Sequence, residues 1–130
     1  MKYKTIESAA TDPECDDVHE APSTPGLDPA IVEHAATLFR TVGEPARLRL
    51  LERLSWGEYC VSELAAGTGD QLSTISERLR VLRAAGLVQR RRQGRHIYYS
   101  LADRHVVELI RSALEHASEL AGASARAHAS

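Results

Sequence analysis

Hydrophobic positions along this chain follow two different periods, and the switch between them outlines the architecture. From about residue 28 to residue 86 apolar residues recur every three or four positions, the spacing of one helical face. Ile31, Ala35, Leu38 and Phe39 make the first stripe, entered through Asp28 as N-cap and Pro29 in the first turn. "VGEP" at 42–45 interrupts it. Pro45 then opens "PARLRLLERLSWG", with Leu48, Leu51 and Leu54 facing inward and Gly57 ending the helix. A short helix is predicted in "CVSELAAGTG", 60–69. After a glycine-containing turn, "QLSTISERLRVLRAAG" carries Leu72, Ile75, Leu79 and Leu82 as its buried stripe and closes at Gly86.

"LVQRRRQGRHIYYSL" abandons the helical period. Its β-branched and aromatic residues flank Gln93-Gly94, the pattern of a two-stranded hairpin. A last helix is predicted from about 104 to 120. The fold class is therefore mainly α with a small β-hairpin. A short helix joined by a tight turn to a helix with a polar face is a helix-turn-helix, and the hairpin adds a wing. Residues 1–27 end in a Pro-, Ser- and Gly-rich stretch and read as a flexible acidic arm. Residues 28–121 form the winged helix-turn-helix domain, and 122–130 a disordered tail.

At 130 residues the chain fits one domain with a core of its own. No apolar run approaches the ~18 residues a membrane-spanning helix needs. "MKYKTIESAATDPECDDVHE" lacks the apolar middle of a signal peptide, so a cytoplasmic location is expected, with no membrane partner. Cys15 and Cys60 make no disulfide framework, and the cytosol would keep them reduced.

The net charge of −2 conceals an asymmetry. Residues 1–34 carry eight acidic groups against Lys2 and Lys4, whereas Arg78 to Arg95 spans seven arginines and no acid. Phosphate binding needs such a focused positive surface rather than a basic whole. In the 72–85 helix the positions outside the core stripe are Ser73, Thr74, Ser76, Glu77, Arg78 and Arg80. Small hydroxyl residues near its start let a helix sink into the major groove and bond base edges or phosphates. Glu77 has two readings, a carboxylate accepting from a cytosine amino group or a salt bridge with Arg80 or Arg78. Arg90, Arg91, Arg92 and Arg95, with Gln93 at the hairpin turn, fit phosphate or minor-groove contacts.

The last helix raises a separate question. "DRHVVELIRSALEHASE" places Asp103 and His105 at its start and His116 and Glu119 near its end, all four able to bind a metal. His105 and His116 are 11 residues apart, about three turns, so they share a face. They are also about 16 Å apart along the axis, while zinc–ligand bonds are about 2.0–2.2 Å. One chain cannot close this set on one ion. A second copy running antiparallel across a two-fold axis can, giving two N₂O₂ sites per dimer suited to tetrahedral zinc. A second set pairs Cys15 and His19 on the arm with Cys60 and Glu63, each pair spaced for one helical face. Such an S₂NO set suits zinc, cadmium or lead. Its alternative is a Cys60 that is simply a small buried hydrophobe and a Cys15 on a mobile tail.

Together "EPARLRLLERL", "EYCVSELA", "LSTISERLRVLRAAGLV", "QGRHIYYSL" and "DRHVVELIRSALEHASE" resemble the ArsR/SmtB family of metal-responsive winged-helix repressors, over about residues 30–120 and into the arm. Within it the chain looks most like the zinc-sensing SmtB branch. That branch has a D-x-H…H-x-x-E site on its C-terminal helix, matched by Asp103, His105, His116 and Glu119. It also has an arm site, matched by Cys15, His19, Cys60 and Glu63. Glu63 stands where aspartate is common, and Ser62 where the cadmium/lead branch has a second cysteine. Glu119 stands where nickel/cobalt sensors tend to have histidine. The resemblance implies a homodimer bound to double-stranded operator DNA when metal-free. Zinc would release it, with cadmium, lead, cobalt and nickel as alternative metals, and the genes controlled would serve metal efflux or sequestration. A thiol or persulfide sensor using Cys15 and Cys60 is a rival on the same fold. A zinc hydrolase would need an open coordination position that neither set leaves. No enzyme activity and no small-molecule substrate are expected.

Overall fold

The computed structural model describes residues 25–128. In chain order it has α1 (Pro29–Val42), α2 (Pro45–Leu54), β1 (Tyr59–Cys60), α3 (Val61–Thr68), α4 (Leu72–Ala84), β2 (Val88–Gln93), β3 (His96–Leu101) and α5 (Arg104–His128). Local chemistry fixes the helix starts. Asp28 accepts from the Ala30 N–H at 2.9 Å, with Pro29 behind it. Glu44 accepts from the N–H groups of Ala46 and Arg47 at 3.1 and 2.9 Å, satisfying donors that a first turn leaves without intrahelical partners. The Arg47 N–H is the main reason the Glu44 carboxyl sits below the usual carboxylate range. Glu63 reaches back to the Cys60 N–H at 3.0 Å and starts α3 in the same way, so that helix begins one residue later than its sequence pattern suggests. Gly69, at φ +77°, closes α3 and turns the chain through Asp70 and Gln71 into α4.

The core draws on every element, α1 contributing Val42 and half-buried Leu38. Leu50, Leu51 and Leu54 of α2 meet Leu64 of α3, Ile75, Leu79 and Leu82 of α4, Leu87, and Ile110 of α5, all buried. Two expected core positions shift. In α2 the inward stripe is Leu50, Leu51 and Leu54, with Leu48 only half-buried. Leu72, the first residue of α4, is 56 % exposed, whereas Ile75 one turn later is fully buried. In α1 Ile31, Val32 and Phe39 are each more than half exposed and Val42 alone is buried. Of the first stripe, Leu38 packs half-buried against this chain's own core, while Ile31, Ala35 and Phe39 stay exposed.

The wing is an antiparallel sheet of strand order β1-β3-β2 rather than an isolated hairpin. Gln93 pairs with His96, leaving Gly94-Arg95 as a two-residue loop with Gly94 at φ +62°, the position where a type II′ turn needs glycine. The added strand pairs Tyr59 with Tyr99 and Cys60 with Tyr98. Two residues are too few to show a period, which is why the sequence pattern misses it.

The last helix also outruns its sequence reading, continuing through His128 instead of giving way to a disordered tail at 122. Alanines at 121, 123, 125 and 127 supply the strongest helix former. Gly122 costs about 1 kcal/mol relative to alanine but stays helical.

Candidate nucleic-acid interface and metal half-sites

The outward ridge of α4 consists of Ser73, Ser76, Glu77 and Arg80, which share a face at helical spacing, with half-buried Thr74 and Arg78 at its margin. Of the two readings of Glu77, the salt bridge is the one present. Arg80 donates to it through two nitrogens, at 2.7 and 3.0 Å. This fork holds the Glu77 carboxyl below its ordinary range and raises the Arg80 guanidinium in return. Both side chains are well exposed, so the pair shapes the charge of the ridge more than it stabilises the fold.

Arg78 is tied within the helix-turn-helix. Its Nη1 donates to Asp70 Oδ2 at 2.8 Å, and its side chain is only 26 % exposed. Asp70 lies in the turn before α4, and Arg78 sits on the second turn of that helix. The pair ties the turn to the second turn of the helix within the helix-turn-helix. Asp70 is the partner that the sequence reading missed. Its signal was an acid in the turn, eight residues ahead of an arginine at the helix margin. The Arg78 bond is the main reason the Asp70 carboxyl is held below its ordinary range.

On the wing, cross-strand pairing separates the arginines by face. Arg90 and Arg92 lie opposite Tyr99 and Ile97, whereas Arg91 lies opposite Tyr98 on the other face. Arg91 is engaged: it donates to Glu58 Oε2 and Gln93 Oε1, both at 2.7 Å, and its guanidinium sits 5.2 Å from the Tyr98 ring centroid. Arg92 donates to the Gly94 carbonyl at 3.3 Å. Within the basic stretch 78–95, Arg83, Arg90, Arg92 and Arg95 are exposed and enter no ion pair among the described residues, which leaves them open to phosphate.

The candidate ligands of α5 form two separate pairs. His105 Nδ1 is 3.6 Å from Asp103 Oδ1, and His116 Nδ1 is 3.8 Å from Glu119 Oε2, all exposed. Among the described residues no three His, Cys, Asp or Glu side chains gather into one metal site. At about 100° per residue, Val106, Ile110 and Leu114 point one way and His105 and His116 roughly the opposite way. The two pairs thus lie on the face of α5 turned from this chain's core. Their donor spacing suits the metal: bonds of about 2.0–2.1 Å in a tetrahedron put neighbouring donors about 3.4 Å apart. Asp103 also caps the helix through its bond from the Val106 N–H at 3.0 Å.

Of the second set, Cys60 and Glu63 are described, while Cys15 and His19 lie outside the described residues. Cys60 is half-buried at the N-cap of α3, with its Sγ 3.1 Å from Ser62 Oγ. Glu63 is occupied as the cap of the same helix. A hydrogen bond from the Cys60 thiol, then the one from its N–H, keeps the Glu63 carboxyl below its ordinary range.

Residues 44–90 match the family model described as "Bacterial regulatory protein, arsR family". Over 98 residues, 75 % of this chain and 73 % of the relative, the sequence is 43 % identical to a transcriptional repressor SmtB homolog from Synechocystis sp.. It is 40 % identical to the HTH-type transcriptional regulator NmtR of Mycobacterium tuberculosis over 99 residues, covering 76 % of this chain and 82 % of that one. The fold superposes with TM-score 0.67 and 31 % identity on a homodimeric winged helix-turn-helix DNA-binding domain from Mycobacterium bovis, a possible ArsR-family transcriptional regulator. That match covers 74 % of this chain and 92 % of the other.

Proposed function

This chain belongs to the arsR family of bacterial regulatory proteins, and from that premise we propose that it is a homodimeric repressor released from operator DNA by a divalent metal, zinc first, with cadmium, lead, cobalt and nickel as the alternatives. It is a transcriptional regulator and not an enzyme. One observation carries the metal reading: two pairs of donors, each near tetrahedral spacing, on the outward face of one helix and too far apart to share an ion.

The exposed face of α1 supports the dimer. Ile31, Val32 and Phe39, with Leu120 on α5, are the apolar surface that a second copy would bury. In such a dimer Asp103 and His105 of one copy and His116 and Glu119 of the other would hold the metal, which supplies a bridge between the two α5 helices. With the two α5 helices joined through these residues, one inter-subunit angle would be fixed, and the two α4 ridges would no longer match successive major grooves. A coupling of about 1–3 kcal/mol between metal and DNA is typical of such systems.

The test uses the full-length dimer and a duplex from upstream of its own coding sequence, followed by fluorescence anisotropy. Zinc should weaken the wild-type complex. His105→Ala with His116→Ala should bind DNA as before and ignore zinc. If zinc still released the double variant, the regulatory metal would be bound elsewhere, with the Cys60 and Glu63 set first in line. No helix among the described residues is long and apolar enough to cross a membrane.

A further inference from the structure

Helix α5 is fastened to the rest of its protomer in two ways. One is the apolar stripe of Val106, Ile110 and Leu114 against the core. The other is Arg111, which among the described residues makes the one hydrogen bond from an α5 side chain to another element. Its Nη2 donates to the Ser55 carbonyl at 2.7 Å. Ser55 is the C-cap of α2, where carbonyls lack intrahelical donors and the helix dipole favours a cation. The Arg111 guanidinium also lies 5.4 Å from the ring centroid of Trp56, the only tryptophan in the chain. Trp56 is pinned on its other edge, its indole N–H donating to Glu52 Oε1 at 2.9 Å.

Two residues further on, Glu58 holds Arg91 of the wing at 2.7 Å, and Arg91 in turn grips Gln93 and lies over Tyr98. Ser55 to Glu58 is therefore a segment of four residues tied to α5 at one end and to the wing at the other. No hydrogen bond joins the His105 or His116 ring to the DNA-binding module among the described residues. Arg111 lies between them in sequence, six residues after one and five before the other. It projects about 120–140° around the helix from their face. A regular helix is stiff over this length, so a rotation imposed at the histidines moves Arg111 with it.

We propose that Ser55–Glu58 is a strap that transmits the position of α5 to the wing, with Arg111 as the positioning residue at its head. This rests on the reading that α5 carries the regulatory metal site. A turn of α5 pulls on Ser55 and Trp56. The pull reaches Glu58, and Arg91 is re-aimed relative to the DNA. Each protomer couples its own sensing helix to its own wing, independently of the inter-subunit angle.

The experiment compares the full-length wild type with Arg111→Gln, Arg111→Lys, Glu58→Gln and the Arg111→Gln/Glu58→Gln pair, using zinc chloride and the upstream duplex. The quantity read is the ratio of operator Kd with and without zinc. Arg111→Gln should shrink that ratio by about tenfold, within the range of allosteric couplings. Its zinc stoichiometry and metal-free affinity should stay near wild type. Arg111→Lys, which keeps a donor for Ser55, should recover part of the ratio. Glu58→Gln should shrink it too, and the pair should lose no more than the larger single loss. Zinc should also change Trp56 emission in the wild type and leave it unchanged in Arg111→Gln. A wild-type ratio in Arg111→Gln, additive losses in the pair, or loss of zinc binding itself would each overturn the strap. A wild type whose operator affinity ignores zinc overturns the metal-sensor reading, and the strap with it.

Discussion

Arg78 and Arg80 are two residues apart on one basic helix, yet the structure gives them different work. Arg80 reaches outward and is neutralised by Glu77, while Arg78 turns back to Asp70. Sequence spacing places both off the core stripe but cannot say which acid each will find, because the choice depends on how the turn at Gly69 presents Asp70. Two tests follow at this scale. Glu77→Ala should free Arg80 for phosphate, tightening operator binding and steepening the slope of log K against log salt by about 0.9; an unchanged slope would leave Arg80 off the DNA. Asp70 has a depressed pKa in the folded state, so its tie to Arg78 is complete above the ordinary aspartate range and is lost as pH falls through the lowered value. Asp70→Asn should show at neutral pH the loosening that acid brings to the wild type, read as faster amide exchange in the first turns of α4. Equal exchange rates in the two proteins at pH 7 would remove the brace.

Among the elements, the helices were legible wherever a cap and a full stripe coincide, as at Asp28 and at the α4 stripe of Ile75, Leu79 and Leu82. The wing was legible as a hairpin from Gln93-Gly94. β1 was not, because two residues stay in the sheet through pairing with β3 and not through any pattern of their own. The reach of α5 was misjudged for the opposite reason: a small, polar composition suggests a loose end, although alanine by itself favours helix. Ile110, fully buried, is the most deeply buried of the residues α5 gives to the core. Ile110→Ala should cost about 2–5 kcal/mol of stability. Each kcal/mol lowers the melting temperature of a domain this size by roughly 4 °C or more, visible by calorimetry.

For the whole molecule, the surfaces that matter most face away from its own core. The apolar side of α1 and the donor side of α5 are both exposed in a single chain, which is why hydrophobic spacing found the α1 stripe but not its destination. Phe39→Ser should shift the protein toward monomer in light scattering while leaving its far-ultraviolet circular dichroism intact. Loss of the helical signal instead would place Phe39 in the fold of one copy. The spread of donors along one continuous rod has a genetic corollary. A subunit lacking His105 still offers an intact distal pair, and a subunit lacking His116 still offers an intact proximal pair. When two such defective proteins exchange partners, every mixed dimer unites both lesions at one seam position and leaves the other whole. Two separately deaf mutants should therefore complement each other in a mixture, recovering one ion per mixed dimer where each pure population recovers none.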